Sequence, residues 1–300
     1  MRIFLSALEN NAKTTLDKCL EEHITIPFGL VSYYYISQSD VNYQNFQKAL
    51  KVCDYLLVDS GAHSFQEGKK VPWDEYTKEY AEFIKQNDNP KILGWFEMDV
   101  DRVIGYEHVL ELRKVLNRAT DKIIPVWHKN RGIAEFKRMC RETNGDIVAV
   151  TGFKNEDIQD NQYAPFLKYA WKCGKKLHCL GMTRQKVMDK IPFDYVDSSS
   201  WKLSATFGNL KKWSAREHKL KNVPNTKGKF STKQLFYKNL MEYVKMVRYY
   251  NIKWSSINND LYFRLGVRNF LHKLKLKVGI RRWIKPRAEL ISVALQRLVS

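Results

Sequence analysis

Cysteine is scarce in this chain, and the spacing of the few cysteines excludes a disulfide framework. The 300 residues include five cysteines, an odd number with no Cys-x2-Cys pair: Cys19, Cys53, Cys140, Cys173 and Cys179. Small disulfide-rich domains have even numbers of cysteines, and structural zinc sites have closely spaced pairs. We therefore predict that all five are reduced thiols.

Long apolar runs are also missing. No 18-residue stretch is free of charge, and the N-terminal sequence reaches its first acid, Glu9, before an apolar signal segment is complete. A glycine-rich phosphate loop is absent as well, so nothing indicates a nucleoside triphosphate. We expect a soluble, cytoplasmic protein with no membrane partner.

Acidic residues are nearly absent from the last third of the chain. Residues 1–200 hold 28 Lys+Arg and 28 Asp+Glu, whereas residues 201–300 hold 23 and 4, so the whole net charge of +19 lies in the second segment. Aromatic residues are interspersed among these cations, a combination that nucleic-acid surfaces use for phosphates and bases. The alternative is a helical region with a solvated basic face and its aromatic residues packed inward. We favour nucleic-acid contact and divide the chain at residue 200.

Residues 1–200 alternate short apolar runs with stretches of helical periodicity, which predicts a (β/α)8 TIM barrel. A doubly wound open sheet is the competing fold, because counting strands does not establish closure. The basic region is predicted to be mainly helical, with the eighth helix at Lys233–Tyr249. The predicted strands are Ile3–Ser6, Leu30–Ile36, Tyr55–Asp59, Ile92–Asp99, Ile123–His128, Ile147–Thr151, Leu177–Leu180 and Phe193–Asp197.

Polar residues stand at the C-terminal ends of these predicted strands, where the active sites of TIM barrels lie. Each of them alone is explained as well by a helix N-cap or a turn. Their shared position predicts a site formed by several strand ends, which are Asp59-Ser60-Gly61, Asp99-Val100-Asp101, His128, Thr151-Gly152, His178 and Asp197-Ser198.

Two of these segments resemble motifs of the tRNA-guanine transglycosylase superfamily. Asp59-Ser60-Gly61-Ala62-His63-Ser64-Phe65-Gln66 is similar to the family's Asp-Ser-Gly-Gly-Phe-Gln, with two extra residues, and Tyr195-Val196-Asp197-Ser198 is similar to the strand that carries its nucleophile. Phe96-Glu97-Met98-Asp99 resembles the strand of its base-reading aspartate. The likeness spans residues 1–200 and is closest to the phage and bacterial enzymes that place 7-deazaguanines in DNA.

The resemblance implies a pentosyltransferase that exchanges guanine for a 7-deazaguanine of the preQ0 type. Asp197 would be the nucleophile that bonds to the sugar, and Asp59 the general acid and base. Asp99 would accept the N1–H and 2-amino group of the base. The other base-binding positions that it suggests are Ser60, Gly61, His63, Phe65, His128 and Gly152.

One departure from the family concerns its C-terminal zinc site. Residues 201–300 contain no cysteine, so we predict no metal and no cofactor. A basic extension stands in its place, which favours DNA as the polymer, with the target nucleotide flipped into the barrel. The protein would then work in the cytoplasm of the host if a phage encodes it. The predicted phosphate contacts are Lys211, Lys212, Arg216, Lys219, Arg281 and Arg282, the first four in a mobile basic loop.

Three alternatives stay open. The nearest is the same base exchange on tRNA, as in queuosine or archaeosine formation. A barrel glycoside hydrolase would use Asp59 or Asp99 together with Asp197, but it would leave the basic third unexplained. A homologue that binds nucleic acid without catalysis would not need all three carboxylates. The partners expected are DNA or tRNA and a free 7-deazaguanine base, and a homodimer is compatible with the sequence.

Overall fold

The parallel sheet is the centre of the fold. The computed structural model describes residues 1–10, 13–65, 71–152 and 156–255. The strands of the main sheet are β1 (Arg2–Ser6), β2 (Ile26–Ser32), β3 (Cys53–Asp59), β4 (Ile92–Phe96), β5 (Ile123–Ile124), β6 (Val126–Trp127), β7 (Ile147–Thr151), β8 (Lys176–Leu180) and β9 (Tyr195–Ser198).

Helices follow nearly every strand. They are α1 (Lys13–Glu21), α2 (Tyr33–Ile36), α3 (Asp40–Val52), α4 (Trp73–Asn87), α5 (Asp101–Ile104), α6 (Tyr106–Asn117), α7 (Gly132–Glu142), α8 (Tyr163–Lys172), α9 (Gln185–Met188), α10 (Ser200–Thr206) and α11 (Thr232–Trp254). None of these described helices combines the length and the apolar character that crossing a bilayer requires.

The sheet closes through a strand that a proline divides. The strand order is β5-β4-β3-β2-β1-β9-β8-β7-β6, and only Pro125 separates β5 from β6. Proline has no N–H to donate, but its carbonyl accepts a hydrogen bond from Ala149 N at 2.9 Å. Since β5 pairs with β4 and β6 with β7, the two halves act as one fifth strand. The predicted TIM barrel is confirmed, and the open sheet was wrong.

Aromatic side chains fill the barrel. Successive residues of a strand point to opposite faces, so alternate positions point into the barrel. Phe4 lies in this interior, with ring centroids 5.5 Å from Phe28 and 6.2 Å from His178, and the ring of Phe96 lies 5.2 Å from His178. Such buried aromatic pairs stabilise a fold by about 0.5–1.5 kcal/mol each beyond their area. The middle of the barrel is therefore packed and is not a channel.

The N-terminal end of the barrel is closed by a cation among aromatic rings. The guanidinium carbon of Arg2 lies 5.5 Å from the centroid of Phe28, 5.3 Å from Tyr55 and 5.6 Å from Tyr195. Cation–π contacts of this kind stabilise the cation while the rings exclude water. Access to the interior is therefore from the C-terminal ends of the strands.

Two predicted strands were too long. The strand predicted at Leu30–Ile36 ends at Ser32, and Tyr33–Ile36 form α2 instead. The tyrosines suggested a strand by propensity, but tertiary packing decides here, because the ring of Tyr33 lies 4.9 Å from that of Tyr80 on α4. The strand predicted at Ile92–Asp99 ends at Phe96, and the residues that follow form the turn into α5.

The basic region contains a hairpin where we predicted a mobile loop. Strands β10 (Leu210–Ser214) and β11 (Lys219–Val223) pair antiparallel. The loop prediction was wrong because the hairpin is fixed to α11, where Asn239 Oδ1 accepts from Lys211 N at 2.8 Å and Glu242 Oε2 accepts from Trp213 N at 2.7 Å. The predicted helix at Lys233–Tyr249 lies inside α11, which Ser231 begins with a capping box.

Candidate active site

Polar side chains form an arc on one side of the barrel opening. The strand order β9-β1-β2-β3 places Asp197, Ser6, Ser32 and Asp59 at the C-terminal ends of four neighbouring strands. Strand alternation puts all four in the inward-facing set, and Ser32 and Asp59 are partners in the register of β2 and β3. We call these four residues the acid arc. It places the two carboxylates predicted to be catalytic at the same end of the barrel.

Asp197 is held by three donors. Its Oδ1 accepts from His178 Nε2 at 2.9 Å and from Gly181 N at 2.9 Å, and its Oδ2 accepts from Ser6 Oγ at 3.3 Å. The Asp197 side chain is 14% exposed, whereas His178 is fully buried. Because the donors come from three strands or loops, the carboxylate is fixed in orientation while one edge stays open to the mouth.

Asp59 begins a tight turn that only glycine permits. Its Oδ1 accepts from Gly61 N at 3.2 Å, and Gly61 has φ of +77°. A Cβ on Gly61 would lie 2.2 Å from Cβ of Tyr34 and 2.7 Å from Oγ of Ser32. Glycine at position 61 is therefore required both by the backbone angle and by the close approach of Ser32 and Tyr34.

Ion pairs occupy the opposite side of the opening. The two nitrogens of His128 are both engaged, with Nε2 2.8 Å from the oxygens of Asp99 and Nδ1 2.8 Å from Asp157 Oδ2. Burial alone lowers the pKa of His128, but its hydrogen bonds with Asp99 and Asp157 and the charge of Asp99 outweigh burial and raise the pKa to about 9. His128 is therefore an imidazolium at neutral pH.

Arg131 joins three carboxylates beside this imidazolium. Its guanidinium lies 3.1 Å from Glu97, 3.2 Å from Asp99 and 3.0 Å from Asp101, and its side chain is 1% exposed. The charge of Arg131 and its hydrogen bond hold the pKa of Asp101 below its usual range even though burial acts to raise it.

Asp99, Asp101 and His128 are the described residues whose ligand atoms are close enough to share a metal ion, all within 4.8 Å of one another. Carboxylate and imidazole donors suit several divalent metals. In this structure Arg131 binds both carboxylates and His128 donates to one of them, so cationic side chains already neutralise the group. The absence of a metal cofactor stays a prediction.

Several predicted base-binding residues have other partners. Ser60 Oγ donates to the carbonyl of Glu97 at 2.8 Å, and the ring of Phe65 lies 4.8 Å from Tyr34 and 5.0 Å from Trp73. Gly152 N donates to Leu180 O at 2.7 Å. These contacts give Ser60 and Phe65 roles in supporting the turn after β3. His63 lies in the short 3-10 turn Ala62–Ser64.

Four of the six predicted phosphate contacts lie on the hairpin. Lys211 and Lys212 belong to β10, Lys219 belongs to β11, and Arg216 is exposed in the turn between them. Described residues 201–255 hold 13 Lys+Arg and 2 Asp+Glu, so the hairpin and α11 carry a large positive charge. Arg281 and Arg282 lie outside the described residues.

Several residues of the site were missed by the sequence interpretation, among them Ser6 and Ser32 of the acid arc. Arg131 and Asp157 follow β6 and β7, and Glu9 follows β1, so the rule about strand ends applies to each. Asp157 lies six residues beyond Thr151, whose Oγ1 donates to it at 2.6 Å. Its contacts with Thr151 and His128 place it at the mouth, and no sequence pattern predicted those contacts.

Among known proteins, this chain has a likeness in structure but no match in sequence. No family model matches the chain, and no curated protein matches it in sequence. A solved structure of a mutant tryptophan synthase alpha-subunit from the hyperthermophile Pyrococcus furiosus is similar, with 13% identity and a TM-score of 0.43. The match covers 81% of this chain and 98% of that chain. The closed strand order establishes the TIM barrel independently of this likeness.

Proposed function

We propose that this protein exchanges guanine in a nucleic acid for a 7-deazaguanine base, through a covalent bond between Asp197 and the sugar. The observation that carries the proposal is the acid arc, in which Asp59 and Asp197 stand at strand ends with Ser6 and Ser32 between them. Two carboxylates at one opening suit a reaction in which one bonds to an anomeric carbon and the other moves a proton.

Asp197 would perform the first displacement. An Asp197 oxygen forms a bond to C1′ as the bond from C1′ to guanine N9 breaks, through an oxocarbenium-like state that the carboxylate charge stabilises. The donors from His178, Gly181 and Ser6 fix the carboxylate before the sugar arrives. Fixed orientation of this kind accelerates a displacement because the reacting atom needs no reorganisation.

Asp59 would move the proton in both halves of the reaction. Protonated Asp59 gives a proton to the departing guanine, and ionised Asp59 takes one from the incoming base as the Asp197–C1′ bond breaks. The hydrogen bond from Gly61 N holds one of its oxygens, so the carboxyl is oriented in either state.

Asp99 would recognise the base. Its side chain is 25% exposed. Oδ1 contacts both His128 and Arg131, whereas Oδ2 contacts His128 and keeps a second lone pair for an N–H donor of the base. A guanine edge presents two adjacent N–H donors to such a carboxylate. His128 has no free nitrogen, so its part would be to hold Asp99 in place.

The polymer we favour is DNA. The charge of residues 201–255 supports a phosphate-binding surface, and a base in a duplex must be flipped out to reach a barrel mouth. Since tRNA carries the same phosphates, the charge alone does not separate the two polymers, and exchange on tRNA is the second candidate.

Incorporation of the base tests the proposal. The full-length protein is mixed with duplex DNA or with unmodified tRNA, together with preQ0 or preQ1, and the polymer is digested to nucleosides for mass spectrometry. Asp197→Asn is the inactive variant. Asp54→Asn is the matched control, because Asp54 is an exposed aspartate on β3, at the opposite end of the strand from Asp59.

We expect a 7-deaza nucleoside in DNA with the wild type and Asp54→Asn, and none with Asp197→Asn. Product in tRNA alone would establish the second candidate. Absence of product in both polymers, with both bases and with folded protein, would refute base exchange.

A further inference from the structure

A pocket lies where α2, α3 and α4 meet. Its volume is about 480 Å³, which is within the range of sites that enclose small molecules. Tyr33 and Ile36 of α2, Tyr43 of α3, and Glu79 and Phe83 of α4 contribute to its lining. None of its lining residues belongs to the acid arc or to the ion pairs around Arg131, so the pocket is separate from the candidate active site.

Three aromatic rings form an open cage in this pocket. The ring centroid of Phe83 lies 5.0 Å from that of Tyr33 and 6.5 Å from that of Tyr43, and the ring planes are inclined to it by 43° and 78°. Tyr33 is 5% exposed and Tyr43 is 41% exposed, so the cage is closed at Tyr33 and open at Tyr43. Aromatic rings attract a cation to their faces, and cages of such rings bind organic ammonium ions.

Neighbouring side chains hold the rings of the cage in place. The ring of Tyr33 lies 4.9 Å from that of Tyr80, because residues 33–36 form α2 instead of extending β2. The buried ring of Phe46 lies 5.5 Å from Phe83 and 6.1 Å from Tyr43. The hydroxyl of Tyr43 donates to Asn87 Oδ1 at 3.3 Å. A ligand would therefore meet rings that are already ordered, which lowers the entropic cost of binding.

Carboxylates lie at the rim of the cage. Glu79 and Glu82 both line the pocket and are three residues apart on α4, so they share one face of the helix. Glu82 pairs with Lys85 at 2.6 Å, whereas Glu79 forms no ion pair in the described part of the chain. Lys78 is the one cation of the lining, so the rim has an excess of negative charge.

We propose that this pocket binds a small organic ammonium ion, with the cation against the three rings of the cage and the Glu79 carboxylate as its counterion. The lining excludes other classes of ligand. An anion would be repelled by the rim carboxylates, and a divalent metal would need several oxygen ligands that aromatic rings do not supply. A stable protein partner needs roughly 800 Å² of surface on each side, which favours a free small molecule for a pocket of this size. The inference does not depend on the proposed base exchange.

The charge of the ligand is tested first, with choline and its uncharged isostere 3,3-dimethylbutan-1-ol. The full-length protein is labelled with 13C at isoleucine methyl groups, and the Ile36 signal is identified as the one missing from Ile36→Val. This methyl reports on the pocket because Ile36 lines it.

We expect choline to shift the Ile36 signal saturably and to bind at least about 10-fold more tightly than the alcohol, since only choline gains cation–π contacts and an ion pair. Equal affinities would mean an apolar pocket without preference for a cation and would overturn the proposal. Failure of both choline and n-butylammonium to bind at about 10 mM would also overturn it.

The residues of the site are tested next, with exposed positions that should not affect folding. We expect choline to bind about 3- to 10-fold more weakly to Tyr43→Leu, which keeps an apolar side chain but removes a ring. Glu79→Gln should weaken binding about three- to fivefold. The matched control is Glu107→Gln, at an exposed glutamate on α6, which should change the affinity less than about twofold. Equal effects of the two glutamine variants, or no effect of Tyr43→Leu, would exclude the cage as the binding site. Absence of base exchange would leave these results unchanged.

Discussion

His178 Nε2 lies 2.9 Å from Asp197 Oδ1, while the other ring nitrogen, Nδ1, is buried without a partner in the described structure. The hydrogen bond requires the proton on Nε2, so the ring donates to the carboxylate. Its position among Phe4, Phe96 and Tyr195 fixes the ring plane. Asp197 is therefore oriented by a side chain that belongs to the core of the barrel.

Replacing His178 should impair the reaction without affecting nucleic-acid binding. In His178→Phe the aromatic packing is kept, but Asp197 retains only the donors from Gly181 and Ser6. We expect kcat/KM for base exchange to fall about 10- to 100-fold, as for other residues that orient a reacting group. The Kd for DNA, measured by fluorescence anisotropy, should change less than about twofold; an equal loss in both would indicate general disruption.

Glu9 should make the protein less stable as the pH rises from about 4.5 to about 7. Burial raises the pKa of Glu9 on folding, so in this window the folded state keeps a proton that the unfolded state has lost. Each pKa unit corresponds to about 1.4 kcal/mol, so the free energy of unfolding should fall by about 3 kcal/mol across the window. Urea unfolding of Glu9→Gln should lack this decline; the same slope in both proteins would contradict the assignment.

His128 should have the same kind of effect in a higher window. Its pKa in the folded protein is about 9, above the ordinary 6.5, so its stabilisation is fully present below pH 6.5 and is lost as the pH rises to about 9. The loss should approach about 3 kcal/mol in the free energy of unfolding. His128→Gln should flatten this part of the profile, and His23→Asn, at an exposed histidine, is the control that should leave it unchanged.

Gly61→Ala should destabilise the protein more than the same change at another glycine with positive φ. Gly61 has φ of +77° and Gly174 has φ of +73°, but a Cβ meets Tyr34 at 2.2 Å in the first case and nothing within 4 Å in the second. We expect about 1 kcal/mol for Gly174→Ala and at least about 3 kcal/mol for Gly61→Ala, since overpacking adds to backbone strain. Urea midpoints measure both, and equal midpoints would show that the turn is not crowded.

The hairpin lysines should determine how strongly nucleic-acid binding depends on salt. Removing one lysine–phosphate interaction reduces the slope of log K against log salt by about 0.9 for duplex DNA. Changing Lys211, Lys212 and Lys219 to Gln should reduce the slope by up to about 3 and leave the fold intact. Lys78, Lys85 and Lys114, on α4 and α6, provide the matched triple, which should have no effect on the slope. Equal effects of the two triples would exclude a phosphate-binding role specific to the hairpin.

The barrel was predictable because its signals are local. Strand and helix periodicity gave eight alternations, and the rule that active sites lie at the C-terminal ends of strands placed Asp59, Asp99, His128 and Asp197 around one opening. The structure of α2 and of the hairpin depends instead on tertiary packing. The tyrosines after Ser32 form a helix because their rings pack on α4, and Lys211–Lys229 contains a hairpin because two side chains of α11 bind its backbone.

Glu9 shows why part of the site could not be read from the sequence. An acidic residue near the end of a first strand is commonplace, and its importance depends on what surrounds it. Its burial requires α3 and α10, which lie far from it in the chain, and the position of Ser32 beside Asp59 depends on the register of β2 and β3. No sequence motif indicates the long-range packing of Glu9 or the register of β2 and β3.

Closure of the barrel by Arg2 also affects the order in which substrates could bind and products could leave. With Phe28, Tyr55 and Tyr195 around the guanidinium, one end of the barrel is sealed, and everything that reaches the acid arc must enter and leave by the same opening. A departing base and an incoming base would therefore share one opening. If the proposed base exchange takes place there, we expect a double displacement, in which release of the first product precedes binding of the second substrate, and initial rates at several substrate concentrations should give parallel reciprocal plots.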